Sequence, residues 1–273
     1  MNFLQKIKNS IYNPAFYANL KEQKLSFSFR YFFSLAGLLA LIVAFVFGVE
    51  MSPLFSGENL KKLVDYYPKE LNIEVKGGTI STNVSEPYII KGPTGFSSRE
   101  ESRSENIIVI DTKNDFTVEA FRAHATEVLL GKNFVVVSKG RGQFEFSDLS
   151  GIPDFNLNQE RLIGFARVIG EHHLALSLLL FVILFFSFFG LFTLKLFILL
   201  FLAVLILCVV KLKKVLLNYK QCYQIALHAV TIPLIFETFF IVSGVGALSL
   251  FIFILIALIV VSVNIKSSGV VLS

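Results

Sequence analysis

The 273 residues include no tryptophan, two cysteines and seven prolines, and only 16% of them are charged. Each shortage excludes something. A soluble domain carries roughly 25% charged residues, so much of this chain is not built to face water. Cys208 and Cys222 both fall in the C-terminal apolar third, which leaves residues 50–171 without a disulfide framework. No CxxC or HxxH spacing accompanies the two thiols, and they read as apolar filler rather than metal ligands. HExxH, GxSxG, Walker and GxGxxG patterns are all missing. Nothing therefore points to a catalytic residue, a metal ligand or a cofactor.

What is abundant is apolar: 54% of the residues are hydrophobic, and thirty of them are Phe. Charge is unevenly placed. Residues 50–171 hold 14 Lys and Arg against 18 Asp and Glu, a net of −4. The rest hold 11 Lys and Arg against Glu22 and Glu237 alone, a net of +9. Basic residues thus flank apolar runs around a mildly acidic insertion. That is the pattern of a membrane protein, not of a nucleic-acid binder.

Residues 1–30 form a basic lead. Phe3, Leu4, Ile7 and Ile11 recur at helical spacing, Asn13-Pro14 breaks the pattern, and a second short helix starts at Pro14. Such a lead suits the inner leaflet or a partner protein. Residues 31–49 carry no charge and suffice to cross a hydrocarbon core of ~30 Å. The lead is too long for a signal peptide, so this span reads as an uncleaved anchor with its N-terminus inside. In residues 50–171, LNIEVKGGTISTNV predicts strand, Gly-Gly turn, strand, and NIIVIDT and NFVVVSKGRGQFEF predict further strands. DFTVEAFRAHATEVLL has a helical pattern, residues 92–106 read as a mobile polar loop, and NQERLIGFARVIGEHH reads as a helix. Asp111 reads as a turn cap, His172 and His173 as solvated residues before a span, and Asn83 as the head of a lone glycosylation sequon.

Residues 174–210 contain one charge, Lys195. A single helix of that length would measure ~55 Å, almost twice the core thickness, and would bury the lysine. Two spans, 174–191 and 194–210, turning around GLFTLK avoid both difficulties and leave Lys195 at an interface. The loop charges oppose this division. Lys211, Lys213 and Lys214 open a basic stretch that two spans would place outside, whereas a single crossing would keep it inside. Residues 211–224 read as an amphipathic interfacial helix, followed by spans 225–245 and 247–264, a turn at Gly244 and Gly246, and a tail over 266–273.

HAVTIPLIFETFF (228–240) places His228, Pro233 and Glu237 within a span. An ionisable group there is a functional hypothesis by default. One reading is a protonated Glu237 packing against neighbouring helices without a cationic partner; the other is a proton or cation site. His228 lies about half a turn off the face that Glu237 shares with Pro233 and Gly244.

NPAFYANL…FSFRYFF, the single large insertion and NYKQCYQIALHAVTIPLIF resemble a bacterial multi-pass membrane family of unknown function, some of whose members carry the name maltodextrin-utilisation membrane proteins. The YxxxxxIAxxAxTxP pattern that starts at Tyr219 is loosely similar to Yip-type membrane proteins. The resemblance implies a fold and a topology and brings no catalytic residues.

The expectation is an α-helical polytopic membrane protein with a small extracytoplasmic α+β domain inserted between the first and second spans. It would sit in a bacterial inner membrane with its N-terminus cytoplasmic, in contact with lipid and other membrane proteins. The role expected is a non-enzymatic scaffold, accessory or regulatory one. The alternative is a small transporter whose path includes Glu237 and His228; a membrane enzyme ranks third.

Overall fold

The computed structural model describes residues 1–91, 106–140 and 143–265. The expected loop over 92–106 lies outside them except for Asn106, and so does the tail over 266–273. The chain divides into two compact units, Pro53–Leu174 and the remainder.

The helical unit opens with α1 (Phe3–Ile11) and α2 (Pro14–Leu20). Asn2 and Gln5 form a capping box on α1, and Asn13 caps α2 ahead of Pro14, so the NP pair ends one helix and starts the next. The long helix α3 (Leu25–Met51) follows. The chain returns as α7 (His173–Leu212), and then as α8 (Tyr219–Ala229), α9 (Thr231–Val242) and α10 (Leu250–Asn264).

Contacts between helices fix their directions. Gly37 faces Phe189, Gly48 faces Phe181, and Ser52 Oγ lies 3.2 Å from Ser177 Oγ, so α7 runs antiparallel to α3. Gln224 bonds the carbonyl of Gln23, and Tyr31 bonds Thr231, so α8 and α9 run parallel to α3. Asn264 accepts from the backbone N–H of Asn13, which returns the end of α10 to the N-terminal helices.

Two sequence expectations fail here. GLFTLK does not turn: α7 is one uninterrupted helix of 40 residues. Its Leu-rich composition favours helix, and Gly190 alone weakens a helix without ending it. The interfacial helix over 211–224 also fails. The chain leaves helix after Leu212, and a capping box of Asn218 and Gln221 starts α8 afresh. The expected span over 225–245 is accordingly α8 plus α9, with a break at Val230. Pro233 accounts for the break, because it lacks the N–H that would bond the Ala229 carbonyl. The hydroxyl of Thr231 instead donates to the carbonyl of His228 at 2.6 Å. Gly244 and Gly246, at φ +76° and +99°, make the expected turn before α10.

Three of these helical stretches, Leu25–Phe55, His173–Leu212 and Tyr219–Val242, are long and apolar enough to cross a membrane, and α10 is a shorter apolar helix. The buried positions of α7 are confined to Phe192–Val210, whereas Leu178, Phe186, Phe197 and Phe201 are each more than half exposed.

Among the described residues, the second unit contains α4 (Gly57–Asp65), α5 (Val118–Ala123) and α6 (Gln159–Glu171) with eight strands. β1 (Ile73–Lys76) lies between β2 (Thr79–Thr82) and β8 (Phe155–Leu157), antiparallel to both. Gly77 and Gly78 at positive φ make the β1–β2 turn. A Cβ on Gly78 would meet Ser150 Cα at 2.7 Å. A five-stranded sheet orders β3 (Tyr88–Lys91), β4 (Asn106–Ile110), β5 (Thr126–Leu130), β6 (Phe134–Gly140) and β7 (Gln143–Asp148). The β4–β5 pair is parallel and is joined through α5. The helical pattern over 115–130 thus yields one short helix and a strand, because the β-branched end of the segment pairs with β4. Leu71, Ile73, Val75 and Ile110 form one core, and Phe121, Leu129, Phe134 and Val136 another. Tyr67 donates to the Leu157 carbonyl at 2.8 Å, and burial together with the neighbouring Tyr88 phenol pushes its own phenol up to about 12.

Candidate functional site

The single base of 174–210 meets the single acid of 225–264. Lys195 Nζ on α7 lies 2.8 Å from Glu237 Oε1 on α9, with the two side chains 19% and 3% exposed. The antiparallel course of α7 sets the two residues opposite each other, and the Phe253 ring of α10 lies 4.9 Å from the same ammonium. This corrects two expectations. Glu237 has a cationic partner, and Lys195 lies within a continuous helix instead of at an interhelical turn. Glu237 Oε2 and Thr193 Oγ1 are buried and have no hydrogen-bond partner among the described residues.

His228 belongs to a separate cluster, as its position half a turn away implied. Its ring is fully buried and stacks on Tyr31, with ring centroids 4.4 Å apart at 8°, while Phe16 meets it edge-on at 5.1 Å. Nδ1 lies 2.8 Å from Ser10 Oγ, and Nε2 has no hydrogen-bond partner among the described residues. Since Thr231 donates to the His228 carbonyl, the Tyr31 hydroxyl is the donor in its 2.6 Å contact with Thr231. Tyr17 donates to the Ser10 carbonyl at 2.7 Å. Together α1, α2, α3, α8 and α9 form one buried polar joint. The N-terminal lead is therefore docked: Phe3 and Ile7 pack on the bundle, and of the expected apolar face only Leu4 and Ile11 stay exposed.

The interfacial lysines divide by role. Lys211 is exposed in the last turn of α7, where a cation complements the helix dipole. Lys213 donates to the carbonyls of Ser262 and Ile265 and so caps the end of α10. Lys214 has φ +57°, with Lys214 N–H to Lys211 O at 3.0 Å and Val215 N–H to Val210 O at 2.9 Å. That is a Schellman ending with lysine at the position glycine usually takes.

Among the described residues, those of 53–174 add no catalytic grouping. Asp111 caps a turn as expected, accepting from the backbone of Lys113 and Asn114. Asn83 spends both amide atoms on Asn72 and Glu70. His173 bonds the carbonyl of Gly170. Among the described residues no three His, Cys, Asp or Glu side chains converge.

The sequence reading missed Ser10, Tyr31 and Thr231, which are ordinary helix residues until the lead docks. It could have found the ion pair, since each apolar stretch holds one charge and the two are of opposite sign.

With this geometry in place, comparison with known families gives a match over residues 4–265 to a family described as a protein of unknown function, DUF1189. The chain belongs to DUF1189. No curated protein and no solved structure matches it. The DUF1189 match takes in both units, the ion pair and the His228 joint, so the family model covers the docked lead as well as the apolar helices.

Proposed function

We propose that this chain is a non-enzymatic protein of a bacterial inner membrane, acting as a scaffold, accessory or regulatory component of a membrane complex. Three long apolar helices with lipid-type exposed faces support membrane insertion. In this reading α3 and α7 cross the bilayer, while α8–α9 and α10 go out and return. The N-terminal lead and residues 211–220 then share one end, with Lys6, Lys8, Lys21, Lys24, Lys211, Lys213, Lys214 and Lys220 against Glu22 alone. By the positive-inside rule that end is cytoplasmic. Residues 53–174 follow the first crossing and fall on the outer side.

The observation that carries the scaffold reading is the Lys195–Glu237 pair. Each charge is taken up by the other, so the two intramembrane ionisable groups lock helices together instead of lining a path, and His228 is committed to a different joint. Exposed Phe146 on the edge strand β7, with Ile163, Phe165 and Val168 on α6, supplies apolar surface for partners.

Exchanging the charges tests the choice between scaffold and transporter. Lys195→Glu combined with Glu237→Lys keeps an opposite pair at the same place. A scaffold carrying the exchange folds and complements a gene deletion. A variant with wild-type detergent stability that fails to complement would favour a proton- or cation-coupled path through Glu237.

A further inference from the structure

Within residues 53–174, α4 and α6 pack side by side. Gln159 donates to the carbonyl of Tyr67 at one end, and a Cβ on Gly170 would come within 3.3 Å of Gly57 Cα at the other, so the two helices run antiparallel. They border a groove of about 440 Å³. Their course orders the charges that line it. Glu171 stands at the Gly57–Gly170 end, Lys61 and Arg167 come midway from opposite walls, and Asp65 stands at the far end beside Ile163. All four charged side chains are exposed, and none makes an ion pair or a hydrogen bond among the described residues.

The order of residues along each helix keeps these charges open. A base four positions before an acid is the weaker arrangement of such a pair, and both Lys61–Asp65 and Arg167–Glu171 have it. Glu58 and Lys62, in the stronger order on the same α4, do pair at 2.8 Å. Chain connection adds an independent point. The apolar stretch Leu25–Phe55 ends two residues before Gly57, and His173–Leu212 begins two residues after Glu171. Two residues reach roughly 7 Å at most. In the membrane reading the Gly57–Gly170 end of the groove therefore lies at the headgroup layer.

We propose that this groove binds the headgroup of one phosphatidylethanolamine of the outer leaflet, with its phosphate between Lys61 and Arg167 and its ammonium on Asp65. The ethylene carbons lie against Ile163, which is 45% exposed, and Ala166, and the glycerol leaves over the two glycines toward the bilayer. Two cations and two acids cancel, which matches a headgroup of no net charge, and Glu171 at the exit disfavours an anionic one. Phosphatidylglycerol brings no cation to Asp65, and the quaternary ammonium of phosphatidylcholine has no N–H to donate to it. The site rests on the membrane reading given above.

The test uses the full chain purified in detergent, with native mass spectrometry after exchange into phosphatidylethanolamine, phosphatidylglycerol or phosphatidylcholine. The expected result is one phosphatidylethanolamine retained per chain, with the other two lipids lost under the same activation. Water-soluble glycerophosphoethanolamine, which carries the same headgroup, should fail to displace it. Lys61→Gln with Arg167→Gln removes both cations from exposed positions and should leave the fold intact. Retention should fall roughly tenfold or more, because each basic residue beside a phosphate is worth several-fold in affinity. Asp65→Asn keeps both cations and should abolish the preference over phosphatidylglycerol. Equal retention of the three lipids, or unchanged retention in both variants, overturns the site. Displacement by glycerophosphoethanolamine overturns the lipid as its ligand and marks a site for a soluble zwitterion. Alkaline carbonate extraction separates the two levels: release of the protein overturns the membrane reading and the site together, whereas a protein that stays membrane-integral but shows no lipid preference overturns the site alone.

Discussion

Lys195 on α7 and Glu237 on α9, forty-two positions apart in sequence, meet with Nζ 2.8 Å from Oε1. A buried pair need not stabilise a fold relative to an apolar one, but breaking it by removing one partner strands the other charge, at a cost of about 3–5 kcal/mol. Lys195→Met and Glu237→Gln should each lower stability on that scale. The Gln variant keeps the carboxyl's shape and still leaves an ammonium without its counter-charge. Lys195→Met with Glu237→Gln leaves no charge stranded and should recover much of the loss. Denaturation followed by circular dichroism on the four proteins completes the cycle. Additive losses would show that the two charges do not depend on each other.

The His228 joint holds the N-terminal lead. Ser10→Ala leaves Nδ1 of a fully buried ring unsatisfied, at a cost of about 1–3 kcal/mol. Tyr31→Phe removes the donor to Thr231 and should cost about 1 kcal/mol. Both should expose the lead to trypsin at Lys6 and Lys8 faster than in the wild type. Cleavage at the wild-type rate in both variants would show that the lead is held by other contacts.

Residues 53–174 should show an alkaline limit. The phenol of Tyr67 rises from 10.0 to about 12 on folding, so its neutral form is favoured in the folded chain. The stability it contributes is complete below pH 10 and disappears as pH rises from 10 to 12. Tyr67→Phe should flatten that part of the stability profile and remove one high-titrating phenol from the tyrosinate absorbance. An unchanged profile would mean that Tyr67 is as solvated folded as unfolded.

Local chemistry made much of the fold legible in the sequence. Asn13-Pro14 separated two helices, Gly77-Gly78 turned a hairpin, and Gly244 and Gly246 ended α9. The failures share a cause. The division of 174–210 rested on helix length and on the cost of a buried Lys195, and that cost depends on whether a partner exists 42 residues away. An interfacial helix over 211–224 followed from periodicity, but the Schellman ending at Lys214 and the cap at Asn218 break it, and neither depends on hydrophobic spacing. Ser10 and Tyr31 carry no signal of their own, since their role arises only when α1 folds back on α8 and α9.

The arrangement of the basic end is open to one direct measurement in intact cells. In a background with Cys208 and Cys222 replaced by Ser, single cysteines at Ser26, Lys220 and Ser147 are exposed positions in the lead, at the start of α8 and on β7. A membrane-impermeant thiol reagent should label the cysteine at 147 and spare those at 26 and 220, which become reactive together once the membrane is permeabilised. Opposite behaviour of positions 26 and 220 would place the two basic segments on different sides and refute a helical unit whose lead, α7 end and α10 end meet at one cytoplasmic face.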